Sequence, residues 1–192
     1  MVKYKFKKIV LQFISKIRFY KWPLWLIYIP KEYNLTGKDY RKINNVIKPG
    51  DILLRKYDTF IDSYLIPGKW DHVAVYLGRQ VVVHAVSTGV EYIDLIDFCR
   101  CDQLLILRPK VNINKIKSLV RRAASLIGKE YDTEFNFGNY KKFVCTELVY
   151  YLYGHTSLKI MPYKKFTWFK YRKVLIPDDF LKANIKIISW EK

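Results

Sequence analysis

The residues in this chain whose types suit them to chemistry are Cys145, His72 and His84. A thiolate is a strong nucleophile, an imidazole can take up its proton and return it to a leaving group, and a third polar group must hold that imidazole in one orientation. Together they make a toolkit for attack on an amide or ester carbonyl through an acyl-cysteine intermediate. Cys145 lies in Phe143-Val144-Cys145-Thr146-Glu147-Leu148-Val149-Tyr150, which follows a polar stretch and turns apolar at helical spacing. This predicts a helix starting near the cysteine. The positive end of a helix dipole favours an anion, so the placement predicts a thiol pulled down from about 8.5 toward neutrality, with the Cys145 N–H as oxyanion donor.

The histidines occupy Trp70-Asp71-His72-Val73-Ala74-Val75-Tyr76-Leu77-Gly78 and Val81-Val82-Val83-His84-Ala85, strand-like runs separated at Arg79-Gln80. A hairpin is predicted, with His72 as base and acid and His84 as its orienting partner. Parity matters here. A two-residue loop at Arg79 and Gln80 would pair Val75 with His84 and leave His72 on the opposite face, whereas a bulge or a loop one residue longer or shorter restores a common face. Taken singly, a cysteine in an apolar helix and a histidine in a strand most often only fill a core. The same three residues are competent zinc ligands, but no Cys-x-x-Cys or His-x-x-x-His spacing supports a closed site, so neither metal nor cofactor is expected.

The elements that must position these groups divide the chain. At 192 residues and 51% hydrophobic, it can bury one ordinary core. Strand-like runs follow Lys48-Pro49-Gly50-Asp51-Ile52 and continue over 72–77, 80–86, 90–95 and 104–108. A helix capped by Asn112 or Asn114 then runs to Gly128, the Cys145 helix comes next, and Pro177-Asp178-Asp179-Phe180 reads as a turn before a strand at 185–190. Strands first and helices second predict an α+β fold, an antiparallel sheet with helices packed on one side. Domain boundaries are placed at 1–45 for an N-terminal arm and 46–192 for the catalytic-size domain.

The arm is basic and aromatic. Ile9, Val10, Phe13, Ile14, Ile17 and Phe19 fit one helical face through Tyr20, and Trp22 to Pro30 follows as a proline-bracketed apolar run too short to span a bilayer. It is read either as an amphipathic segment on an anionic membrane surface or as a helix packed on the domain. Gln12, Ser15, Lys16 and Arg18 interrupt what would be a signal-peptide core. With three cysteines in no disulfide pattern, a reducing, cytoplasmic setting is expected. The net charge of +18 implies attraction to a polyanion, although an AT-rich coding bias produces the same lysine excess. A second basic and aromatic segment spans 164–173.

Several motifs, in order, resemble the permuted papain-like cysteine hydrolases, the YiiX-like branch related to NlpC-type endopeptidases and lecithin retinol acyltransferase. They are Pro49-Gly50-Asp51-Ile52-Leu53-Leu54, the His72 and His84 runs, Gly128-Lys129-Glu130-Tyr131-Asp132, Phe143 to Val149, and Pro177 to Phe180. Histidine before cysteine is the circularly permuted order. The resemblance implies Cys145 as nucleophile, His72 as general base and His84 in the third-polar position, where many relatives carry Glu. His84 brings no fixed negative charge, and Asp71, where relatives commonly have Ser, is expected to point away from His72. Glu147 and Tyr131-Asp132 are read as a first-turn carboxylate and a positioning turn. The implied function is a thiol hydrolase or acyltransferase acting on a small-molecule, cell-wall peptide or lipid acyl substrate, with peripheral contact to anionic membrane. The runner-up is a non-catalytic basic binding module for membrane or nucleic acid on the same scaffold; nucleic acid is the less expected partner.

Overall fold

The computed structural model describes residues 33–58, 66–154, 158–167 and 170–191, with short pieces at 7, 9–11, 17–19 and 26–28. Its centre is an antiparallel sheet of six strands, in the order β12-β7-β3-β4-β5-β6. These are β3 (Ile52–Lys56), β4 (His72–Gly78), β5 (Val81–Val86), β6 (Gly89–Asp94), β7 (Gln103–Pro109) and β12 (Ile185–Glu191). The long helix α3 (Ile113–Leu126) and the cysteine helix α4 (Cys145–Tyr153) share a core with Ile52, Leu54, Val73, Val75, Val83 and Leu107. Alternation along the strands sends Leu53, Ala74, Tyr76, Val82 and Ile106 to the other face. There they meet Ile43 of α1 (Gly37–Val46) and Leu95 and Phe98 of the short α2 (Leu95–Phe98). The sheet-then-helix order expected from the sequence is present, with both long C-terminal helices on one face.

Local signals explain the helix ends. Asn112 caps α3, its side chain accepting from the Lys115 N–H at 2.9 Å. Thr36 and Asp39 form a capping box on α1, which brings residues 33–46 against the sheet and buries Ile43 completely. The remainder of the N-terminal arm lies largely outside the described residues. Where the arm is described, residues 7 and 9–11 are helical as expected, but the helical reading fails at 17–19: Ile17–Phe19 (β1) and Leu26–Tyr28 (β2) pair as an antiparallel ribbon. Ile, Phe and Tyr suit strand backbone as well as a helix face, and local periodicity did not separate the two.

The segment from Lys164 to Lys173 forms a second hairpin, β10 (Tyr163–Thr167) with β11 (Lys170–Val174), whose register sets Lys164 opposite Lys173 and Lys165 opposite Arg172. A short parallel pair, β8 (Glu130–Tyr131) and β9 (Lys142–Phe143), precedes α4. Among the described residues no helix is long and apolar enough to cross a membrane.

Candidate active site

The helix expected at the cysteine is present, with Cys145 as its first residue. Val144, in extended conformation at φ −86° and ψ 163°, is the N-cap and supplies no side-chain hydrogen bond. The first-turn N–H groups of α4 therefore stay available around the sulfur. Leu148, Val149 and Leu152 bury the helix in the core, and Gly154 at φ +73° ends it, its N–H reaching the Tyr150 carbonyl at 3.0 Å. The Tyr153 hydroxyl donates to the Gly50 carbonyl, fixing the far end of the helix to the turn before β3. The loop that enters α4 is anchored twice. Asp132 accepts from the N–H groups of Glu134 and Asn136, and Glu147 Oε1 accepts from the Gly138 N–H at 2.6 Å.

The histidines come from the β4–β5 hairpin, and its register settles the parity question. Arg79 and Gln80 have φ of 51° and 65°, the backbone of a two-residue turn, and Gly78 pairs with Val81 as expected. Of the two registers left open, the bulged one is present. A bulge between Tyr76 and Gly78 shifts the register by one, so Val75 pairs with Val83. Continuing that register sets His84 opposite Ala74, which puts it on the face that also carries His72. The two rings meet edge to face at a centroid distance of 5.3 Å, with His72 Nε2 3.2 Å from His84 Nδ1.

Paired residues of β4 and β5 extend from the turn only to Val75 and Val83. Beyond them the Val73 N–H faces the Cys145 sulfur, as do the N–H groups of Thr146 and of Cys145 itself. Cys145 thus sits against the opening of the hairpin, beside the residue that follows His72. Among the described residues, no hydrogen bond joins the sulfur to either imidazole.

A carboxylate stands behind the histidines. Glu91 is the cross-strand partner of His84 on β6, and its Oε1 lies 3.5 Å from His84 Nε2. That spacing is a long contact for a neutral imidazole, and His84 Nε2 has no closer hydrogen-bond partner. Glu91 also accepts from the Thr88 hydroxyl at 2.8 Å. A carboxylate only accepts, so the arrangement that serves both contacts protonates His84 at Nε2 and leaves Nδ1 to accept from His72 Nε2–H. His72 Nδ1 then keeps its lone pair. The negative charge that His84 itself lacks is supplied one residue further out.

The electrostatics overturn the expected thiolate. Burial pushes the Cys145 thiol up, against the opposing pull of the Val73, Thr146 and Cys145 N–H groups and of the Arg55 guanidinium. Burial also holds His72 well below 6.5, reinforced by Arg55 and His84. His84 is lowered by burial in spite of Glu91. At neutral pH both the Cys145 thiol and the His72 imidazole therefore rest neutral. The helix dipole was read correctly in sign, but desolvation of the buried sulfur outweighs it. Burial likewise raises the Glu147 carboxyl to about 7, with the Gly138 N–H opposing and Asp132 adding.

The other sequence motifs act on the framework. Asp51 holds Arg108 of β7 through both carboxylate oxygens at 2.7 Å and accepts from the Lys48 N–H, closing the turn at Pro49-Gly50. Asp178 accepts from the N–H groups of Lys69 and Trp70, each at 3.0 Å, just before His72. Gly68, at φ +117°, suits the turn there, with the Asp178 carboxylate packed where a Cβ would stand. Asp71 directs its carboxylate to the Tyr57 N–H at 2.7 Å. Two residues near the histidines, Glu91 and Arg55, were missed. Glu91 was recoverable from the second hairpin's register, while Arg55 had only the signal of a charge ending the apolar run Ile52-Leu53-Leu54. Among the described residues, no three or more His, Cys, Asp or Glu converge as metal ligands.

Comparison with known proteins agrees with this architecture. The chain is similar in structure to the crystal structure of metalloprotein yiiX from Escherichia coli O157:H7, with a TM-score of 0.63 at 17% identity over 75% of this chain and 97% of that one. At that identity the likeness concerns the fold. No curated protein sequence matches the chain. The family model described as permuted papain-like amidase enzyme, YaeF/YiiX, C92 family, matches residues 46–185. With well over half its length matched by the family model, the chain belongs to the permuted papain-like amidase family.

Proposed function

We propose that this protein is a thiol hydrolase or acyltransferase that opens an amide or ester bond through an acyl-Cys145 intermediate. The observation that carries this reading is the 3.2 Å contact between His72 Nε2 and His84 Nδ1, with Cys145 at a helix N-terminus facing the N–H of Val73, the residue after His72. With its Nε2 engaged, His72 offers Nδ1 as base. Because the resting pair is neutral, the thiol proton passes to His72 Nδ1 as sulfur attacks the carbonyl, rather than before. The Cys145 N–H supports the oxyanion. Collapse expels an amine or alcohol that takes the proton from His72, and water or a second acceptor then releases the acyl group from sulfur with His72 again as base. His84 and Glu91 fix the imidazole and stabilise its positive charge as it forms.

Basic residues favour a substrate presented at an anionic surface. The hairpin β10–β11 sets like charges directly opposite one another, which is unfavourable without a polyanion nearby, and Tyr171 on it is 77% exposed. We therefore place the substrate among acyl compounds met at a bilayer surface, with cell-wall peptides as the alternative.

The test is reaction with p-nitrophenyl acyl esters. A release of p-nitrophenol equal to the enzyme present, with the acyl mass on the Cys145 peptide, is expected, and Cys145→Ala should abolish both. Acylation at another residue, or turnover unchanged in Cys145→Ala, would overturn the reading.

A further inference from the structure

Arg55 stands on the same side of the sheet as the histidines and is the cross-strand partner of His72. It is 9% exposed, and its Nε is enclosed without a hydrogen-bond partner. No carboxylate among the described residues pairs with its guanidinium. The nearby acids are directed elsewhere: Asp71 to the Tyr57 N–H, and Asp102 to the N–H groups of Asn34 and Asp58. What holds Arg55 is aromatic. Its guanidinium carbon lies 4.5 Å from the centre of the Phe98 ring and 5.2 Å from that of Tyr57. Phe98 is shared with the histidines, whose ring centres are 6.0 and 6.1 Å from it.

A buried cation without a counter-charge is costly, and ring faces recover only part of the loss. The planar fork of a guanidinium matches an oxyacid through two parallel hydrogen bonds. Its field reaches the reacting groups, since Arg55 acts on the titration of Cys145, His72 and His84 alike. A guanidinium with no carboxylate partner among the described residues matches a single negative charge.

Resting on the thiol-acyl reading above, we infer that Arg55 is a substrate-binding residue, a site beside His72 for a monoanionic oxyacid group, carboxylate or phosphodiester, carried near the scissile carbonyl. The substrate class is thereby narrowed to acyl compounds with such an anion close to the bond that breaks. Phe98 and Tyr57 hold the guanidinium flat and ready before the anion arrives.

Alkylation of Cys145 by iodoacetate and by iodoacetamide tests this directly, because the reagents differ chiefly in charge. Rates are followed above pH 9 by mass spectrometry of the Cys145 peptide, which separates it from Cys99 and Cys101. The iodoacetate to iodoacetamide rate ratio should fall about tenfold in Arg55→Met and less in Arg55→Lys, which keeps the charge without the fork. In the unsubstituted protein, acetate or dimethyl phosphate should slow iodoacetate selectively, and the better protector identifies the anion as carboxylate or phosphodiester. This arm holds even if Arg55→Met does not fold. An unchanged ratio in folded Arg55→Met, or no protection by either competitor, would overturn the inference and leave the thiol chemistry standing. Failure of iodoacetamide to label Cys145 would overturn both.

Discussion

The two ends of the β4–β5 hairpin are built in opposite ways. At the turn, Gln80 is held on every side: Oε1 accepts from the Tyr40 hydroxyl at 2.7 Å, Nε2 donates to Asn44 at 2.7 Å, and its carbonyl accepts from the Leu95 N–H at 2.7 Å. At the other end the paired ladder stops at Val75 and Val83, and the Val73 N–H turns to a sulfur from another element. The closed end fixes register, and register decides which side chains meet at the open end. The bulge between Tyr76 and Gly78 links them: it is the one-residue shift that puts His72 and His84 on a common face.

Removing the proposed base, His72, from the open end should have the largest effect. His72→Ala should lower p-nitrophenyl ester turnover by about a thousandfold. Because the resting thiol and imidazole are both neutral, iodoacetamide labelling of Cys145 should change little in the same variant. Loss of both together would show instead a preformed ion pair.

His84→Ala should cost less, about a hundredfold in kcat, since on the proposed mechanism it orients the ring rather than accepting the proton, with His84→Gln retaining more. Equal kcat in His84→Ala and the parent would remove His84 from the mechanism.

Glu147 sharpens the contrast through stability. Its carboxyl is raised from 4.5 to about 7 in the folded protein, so the native state binds the proton more tightly than the unfolded chain. Its contribution is present below about pH 4.5 and is lost as pH rises toward 7, by at most ~3 kcal/mol. Glu147→Gln, which keeps the shape without the charge, should be more stable than the parent at pH 8 and nearly equal at pH 4.5 by urea unfolding. Equal midpoints at both values would sink the assignment.

The smallest effect is expected at the closed end. Arg79 adopts φ of 51°, which Asn tolerates better, so Arg79→Asn should gain about 0.5 kcal/mol in thermal unfolding and leave ester turnover unchanged. A loss of turnover would mean that the turn shapes the open end by more than register.

Much of the framework was legible along the chain. The strand runs of β3 to β7, the Asn112 cap and the helix start at Cys145 each follow from local alternation, capping chemistry or apolar spacing, and the permuted order of His72, His84 and Cys145 pointed to the family. Helix α1 was missed although Thr36 and Asp39 signal its start, because the basic, aromatic residues before it suggested a separate arm. The β10–β11 hairpin was missed because like charges sit opposite each other there, against ordinary pairing preference.

Sequence by itself determined which residue types could do chemistry and the elements that bear them, since propensity, periodicity and caps act over a few residues. Only the tertiary structure decided the rest. A single bulged residue chose the common face of the histidines, burial from several elements at once reversed the expected ionisation of Cys145, and cross-strand pairing brought in Glu91 and Arg55. Desolvation and register depend on neighbours distant in the chain, and no local pattern encodes them.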